Sequence, residues 1–325
     1  MRAYLAKRLL WTLVATWITV TITFLLLELS PVSASEAAFI DRQVQAGMEY
    51  EAAAELYDRQ LGGGGTATER YLDFVVGLAT LEWGHSTTYN RPVVDVVADA
   101  WVYSVQYVLP ATVVAVVVGF AIGLYSATHQ YSAGDYAATT LAFVGVSLPN
   151  FWFAVICILV GGVWLGWFPT HYTTDVPGLL SLANAHQLVL PTFVLGTAAI
   201  ASQARYARAE SLEYVRADFV TAARSKGISE RAVAVRHVLR PASVPLATVL
   251  VGDVLGLLFA GAYVIEVIFG IPGLGLVSYR AILQGDTSLV LATTLIPVFV
   301  AILGNLCQDV AYTLLDPRIE LGEGR

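Results

Sequence analysis

The chain of 325 residues is 57% hydrophobic and only 13% charged, with a formal net charge of −7. Such a composition excludes an ordinary water-soluble domain and makes the bilayer the solvent to test first. Residues 30 to 100 hold eleven acidic residues against four basic ones, a balance that argues against a nucleic-acid partner.

A spanning helix takes about 20 apolar residues, and the sequence predicts six: residues 9–27, 101–127, 137 to about 165, 187–204, 241 to about 269, and 287–308. The first follows Arg2, Lys7 and Arg8 and precedes the small residues Ser33-Ala34-Ser35, as in a cleavable signal peptide, but its apolar run exceeds a typical leader core and reads as a span. Cys157 and Cys307 both fall inside expected spans, where two separated thiols build neither a disulfide framework nor a zinc site.

Lys and Arg number 3 before the first span, 4 in residues 30–100, none in the next two connections, 8 in the fourth, 1 in the fifth and 2 after the sixth. Placing the amino terminus in the cytoplasm puts 13 of these inside and 5 outside, the asymmetry of the positive-inside rule. Both termini are thus expected in the cytoplasm of a multi-pass protein of the cell membrane.

The 70-residue outer connection is too long for a simple linker. Helical patterning shows over residues 36–61. After Gly62–Gly65, Thr66 and Glu69 stand at capping-box spacing before Tyr71, Phe74, Val75 and Leu78 on one helical face. That face needs the membrane surface, the outer span ends or a partner to pack on. Gly119 with Gly123, Gly162 with Gly166, and Gly252 with Gly256 have the spacing that lets helices approach closely, inside one bundle or between chains. No internal repeat supports an inverted-repeat secondary transporter.

Only two lysines occur, Lys7 and Lys226, and neither sits in Gly-Lys-Ser or Gly-Lys-Thr, so a phosphate-binding Walker loop is excluded. Energy, if used, enters from another chain. The stretch from Gly270 to Gly275 lacks a preceding strand and reads as a turn or re-entrant element. The histidines, His85, His129, His171, His186 and His237, lie in loops or at span ends, and no His-Glu-x-x-His pattern exists, so no catalytic or metal-binding residue is expected.

Within the basic loop, Val215, Phe219, Ala222 and Ala223 recur at helical spacing, Gly227 stands where a helix C-cap would, and a second short helix starts near Ser229. The pair forms a knob with Ala222 and Ala223 on its exposed side, shaped for a groove in a soluble partner. Within the spans, Asp253 is a deep carboxylate that should face a cavity or a partner. Glu266, near the outer end of the same span, suits the pore mouth or a solvated interface. Asp309 is expected to be solvated or paired locally.

The run Thr221-Ala222-Ala223-Arg224-Ser225-Lys226-Gly227 resembles the E-A-A-x-x-x-G signature of ABC-transporter permeases, in the variant found in the dipeptide/oligopeptide family. Thr221 replaces the glutamate, and Leu239-Arg240-Pro241 alters the closing leucine-proline. Other segments similar to that family's first (B-type) permease subunit are Trp83-Gly84-His85-Ser86, Leu109-Pro110-Ala111-Thr112, Ser147-Leu148-Pro149-Asn150-Phe151-Trp152, Leu190-Pro191-Thr192, Glu266 through Gly275, and Asp316-Pro317-Arg318-Ile319.

The resemblance implies an all-α type I ABC importer permease fold with six transmembrane helices and a large outer loop between the first two. Its expected parts are residues 1–98 (first helix and extracellular loop), 99–315 (transmembrane domain with a coupling loop at about 205–240) and a tail at 316–325. It implies a paired homologous permease, two ABC ATPases that bind the ATP, and an extracellular substrate-binding protein, with no cofactor in this chain. It also implies that Asp218, Phe219, Thr221, Ala222, Ala223, Arg224, Ser225, Lys226 and Gly227 form the coupling helix, while Asp253, Glu266 and Asn150 are candidates for the translocation path. Cargo is expected to be di- or oligopeptides, with nickel chelates, glutathione or sugars as alternatives; a self-contained channel or secondary transporter is the reading of a different class.

Overall fold

A computed structural model of the chain describes residues 2–29, 40, 43–44, 47–61, 66–242 and 263–315. Its elements are α1 (Arg2–Leu29), α2 (Tyr50–Leu61), α3 (Ala67–Thr80), the antiparallel ribbon β1 (His85–Ser86) with β2 (Arg91–Pro92), α4 (Val93–Thr128), α5 (Ala133–Ser147), α6 (Asn150–Cys157), α7 (Leu182–Val215), α8 (Asp218–Ser225), α9 (Glu230–Val233), α10 (Tyr263–Phe269), α11 (Leu274–Gln284) and α12 (Thr287–Leu315). Two π-helical segments, Ile158–Trp164 and Ala234–Leu239, continue α6 and α9.

Four of the described helices contain straight segments long and apolar enough to cross a membrane: Ala6–Leu29, Val93–Thr128, Leu182–Val215 and Thr287–Cys307. Two bent pairs raise the candidates to six: Ala133–Gly145 with Asn150–Trp164, turned by 98°, and Tyr263–Phe269 with Leu274–Gln284, turned by 84°. The expected third span is therefore interrupted. Pro149 lacks an N–H and disfavours helix at the residue before it, so α5 ends near Ser147 and α6 starts afresh. Most of the expected fifth span, with Gly252, Asp253 and Gly256, lies outside the described residues.

The helices overrun the apolar runs that predicted them. Chain entering from Pro92 starts α4 at Val93, well before Trp101, so the boundary expected between residues 98 and 99 falls within this helix. The Ser181 hydroxyl accepts the Asn184 N–H at 3.1 Å to start α7, which runs past Ala204 to Val215 and carries the first part of the basic loop as regular helix.

The main packing joins α4 to α7. A Cβ at Gly119 would lie 2.6 Å from the Gln203 Cβ, and one at Gly123 would lie 2.6 Å from the Ala204 carbonyl oxygen and the Ala207 Cβ. The first small-residue pair thus serves close approach inside one bundle. Gly162 and Gly166 do otherwise: Gly162 lies under Thr170 and Phe168 of the returning chain, and Gly166 adopts φ +63° in the turn itself. One apolar core gathers Tyr107, Val108, Ala111, Ala154, Leu188, Val194, Ile265 and Phe269; another joins Val93, Val96 and Ala100 to Val277, Ala281 and Leu289. Helix α1 stands on α12, and Arg8 reaches Asp309 at 3.2 Å. Asp309 is thus paired across the bundle.

The expected capping box forms. Thr66 Oγ1 accepts the Glu69 N–H at 3.3 Å, and Glu69 Oε2 accepts the Thr66 N–H at 2.7 Å. Tyr71 and Phe74 then pack on Phe24, and the Tyr71 hydroxyl meets Thr21 Oγ1 at 2.8 Å. Of the supports considered for this face, the end of the first span is one that it meets. Of the helical pattern expected over residues 36–61, α2 accounts for the part from Tyr50; residues 36–39, 41–42, 45–46 and Gly62–Gly65 lie outside the described residues.

Candidate functional site

At the basic end of the bundle, α8 and α9 fold into a knob against α4 and α7. Val220, Ala223, Val233 and Val238 form its buried core, with Leu124 of α4 and Tyr214 of α7 packed beside them. Helix α8 ends in a Schellman closure: the Gly227 N–H reaches the Arg224 carbonyl at 2.9 Å, and the Ile228 N–H reaches the Ala223 carbonyl at 3.3 Å. Gly227 has φ +75°, where a side chain is strained even though nothing lies within 4 Å of a Cβ there. The glycine is needed for its backbone angle, not for space.

The residues expected on the knob are not all on its surface. Asp218, Phe219, Thr221, Ala222, Arg224, Ser225, Lys226 and Gly227 are exposed, but Ala223 is 4% exposed and packs inward. The expectation that both alanines face outward is corrected: Ala222 does, whereas Ala223 sits on the face that packs against Val220, Val233 and Leu124. Arg224 pairs with Glu230 at 3.2 Å, tying the two short helices together, and Phe219 keeps 47% of its surface exposed. The outward surface thus combines one aromatic ring, small side chains and basic groups.

Directly beneath the knob lies a bracket that sequence reading missed. Arg208 of α7 donates from Nε to Asp135 Oδ1 at 2.9 Å and from Nη2 to Asp135 Oδ2 at 3.1 Å. Asp135 also accepts the Tyr131 N–H at 2.9 Å and the hydroxyl of Ser126 on α4, and it is 3% exposed. The side chains of α4, α5 and α7 are thus joined at one carboxylate. The available signal was Ser132 three residues before Asp135, a cap spacing in a connection otherwise without charge.

At the acidic end two carboxylates are fully buried. Glu266 of α10 accepts Ser104 Oγ at 2.7 Å and the Tyr107 hydroxyl at 2.9 Å on one oxygen, and the N–H groups of Gly275 and Leu276 at 2.6 and 3.2 Å on the other. The expectation of a solvated or mouth-facing Glu266 is corrected: its side chain is enclosed by α4 and by the first turn of α11, so it clamps the Gly270–Gly275 turn to the bundle. A Cβ at Gly273 would lie 2.5 Å from the Glu266 carboxyl carbon, which explains the small residue beside it. Asp286 accepts Ser86 Oγ at 2.5 Å, the Thr88 N–H at 2.9 Å and the Leu289 N–H at 3.1 Å, capping α12 while holding the β1–β2 ribbon.

Asn150 stands at the break between α5 and α6 and is exposed, as are Phe151 and Trp152. The Trp152 and Phe153 N–H groups turn back to the Pro149 carbonyl, and no side chain caps the new helix. Among the described residues no group of three or more metal-ligating side chains occurs.

A bundle with four to six helices or bent helix pairs long and apolar enough to cross a membrane, carrying an exposed helical knob, has the build of a membrane protein. Residues 119–321 match the family described as "Binding-protein-dependent transport system inner membrane component", and the chain belongs to that family. It is therefore a multi-pass membrane permease of the type I ABC importer fold, a transport subunit and not an enzyme. Among its relatives, the oligopeptide transport system permease protein AppB of Bacillus subtilis (strain 168) is 34% identical over 77% of this chain and 80% of its own length. The oligopeptide transport system permease protein OppB of Haemophilus influenzae is 32% identical over 98% of this chain and 99% of its own. The dipeptide transport system permease protein DppB of Bacillus subtilis (strain 168) is 32% identical over 99% of each.

Proposed function

We propose that this chain is the permease subunit of an ATP-driven importer of di- or oligopeptides, forming half of the translocation path with a second, homologous permease. Two separate ABC ATPases bind the ATP, and an extracellular binding protein delivers cargo. The observation that carries this reading is the knob. Its core is closed by apolar residues of the knob with Leu124 and Tyr214 beside them, yet Phe219, Thr221, Ala222, Ser225 and Lys226 stay exposed among the described residues. Such a surface suits a groove in an ATPase.

The charge asymmetry of 13 basic residues against 5 supports a cytoplasmic knob and cytoplasmic termini. The proposed organisation keeps residues 1–98 as first helix and outer loop, 99–315 as transmembrane domain and 316–325 as a cytoplasmic tail. The path runs past Asn150, because interrupted backbone at membrane depth is sustained where it lines a watery cavity or is buried in protein. Asp253, expected in the fifth span, remains a candidate on the sequence argument alone. The relatives named for oligopeptides and dipeptides favour peptide cargo over nickel chelates, glutathione or sugars.

The test is to purify the chain from membranes under mild conditions and reconstitute what accompanies it. Two soluble chains with Walker loops and ATP-dependent peptide uptake, requiring the binding protein, are expected. Uptake by this chain alone, without ATP, would instead establish a self-contained channel or secondary transporter.

A further inference from the structure

Helix α3 has a second apolar face that nothing among the described residues covers. Around the helix, Phe74, Leu78, Tyr71 and Val75 form the arc turned toward α1, and next to them come Ala79, Leu72 and Val76. Leu72 and Val76 are each 56% exposed. The arc then turns polar, through Glu69, Thr80 and Asp73 to Arg70, which pairs with Glu28 of α1. Apolar side chains thus occupy about half of the circumference, and α1 covers only part of that arc.

Two observations fix what meets the remainder. The contacts of α3 with α1 fall at Thr21, Phe24 and Glu28, so the uncovered arc lies level with the last turns of the apolar segment Ala6–Leu29. The same end of α1 carries the exposed apolar side chains Leu25, Leu26 and Leu29. Second, the uncovered arc is three side chains wide, far short of the roughly 800 Å² that each partner commits to a stable protein interface. A narrow apolar strip bordered by a charged one is the pattern of a helix lying at the membrane boundary.

We infer that α3 is an interfacial helix of the outer leaflet, with Leu72, Val76 and Ala79 immersed among acyl chains beside α1 and with Glu69 and Asp73 at the headgroup and water side. On the far side of the polar arc, the Arg70–Glu28 pair ties α3 back to α1. The Thr66–Glu69 box starts the helix. The inference goes beyond the transport reading: it needs the chain to sit in a bilayer but neither peptide cargo nor a docked ATPase.

The test uses nitroxide labels in the full chain with its copurifying partners in lipid vesicles. Cys157 and Cys307 are replaced by serine, and single cysteines are introduced as Leu72→Cys, Val76→Cys and Asp73→Cys. Collision rates with oxygen, which concentrates in lipid, and with a soluble nickel chelate are then compared without ATP or cargo. At positions 72 and 76 oxygen should exceed the chelate by several-fold, with the order reversed at 73. Chelate access at 72 and 76 equal to that at 73 would put the face in water and overturn the inference. Low access to both reagents would mean that a protein partner covers it, which also overturns it. Either outcome leaves ATP-dependent uptake, measured on the same vesicles, to judge the transport reading separately.

Discussion

The two ends of the bundle use charge in opposite ways. At the acidic end, Glu266 and Asp286 are wholly buried, and their seven hydrogen bonds come from groups distant in the chain or at the start of the following helix. At the basic end the charges of the knob are exposed, and its core is made by small aliphatic side chains. Buried carboxylates at one end are architecture, and exposed cations at the other are surface for something else. The Arg208–Asp135 bracket combines the two, pairing a buried carboxylate with a partly exposed arginine.

The largest expected effect breaks the acidic end. Glu266→Leu removes the acceptor of four donors and leaves them in an apolar setting, at a cost on the order of 4 kcal/mol. Thermal unfolding in detergent should show a large fall in midpoint, and Glu266→Gln, which keeps an acceptor, a smaller one. Equal stability of Glu266→Leu and the parent would remove the clamp from the account. Next comes the bracket. Arg208→Gln leaves Asp135 buried without its cation, at a cost of about 3 kcal/mol. The double variant Arg208→Gln, Asp135→Asn should recover part of that loss, and additive losses would show that the two residues do not act as a pair.

These carboxylates show where sequence reading stops. Spans are legible because length and apolar content are local properties, and the knob is legible because Gly227 and the helical spacing around it are local too. Glu266 was not, since its side-chain partners Ser104 and Tyr107 lie about 160 residues away, and a lone carboxylate near a span end looks solvated until they arrive. Ala222 and Ala223 were not separable either. Which of two neighbouring alanines turns inward depends on where Leu124 of α4 stands. The break before Asn150 carried its signal in Pro149, but apolar residues on both sides made one span look continuous.

Smaller effects sharpen the contrast. Gly227→Val forces a β-branched residue to φ +75° and should cost about 1–2 kcal/mol, confined to the knob. Substrate-stimulated ATP hydrolysis by the assembled importer should fall while membrane insertion persists; unchanged stimulation would count against the docking role. Smallest is Thr66→Ala, which removes the cap of α3 for about 1 kcal/mol. Proteolysis should then quicken in the connection between α1 and α4 alone, and faster cleavage at the knob as well would contradict the separation of the two ends.

The central claim, that the knob is the docking surface for an ATPase, is tested most directly by contact. In the same serine background, single cysteines introduced as Ala222→Cys on the outward face and Ala223→Cys on the inward face are treated with a short bifunctional thiol reagent in the purified assembly, with a cysteine also introduced into the groove of the ATPase. Position 222 is expected to cross-link to the ATPase chain in high yield and position 223 to remain unlinked, because its side chain packs within the knob. No cross-link from position 222 in an assembly that hydrolyses ATP, with that residue still open to soluble thiol reagents, would contradict the account.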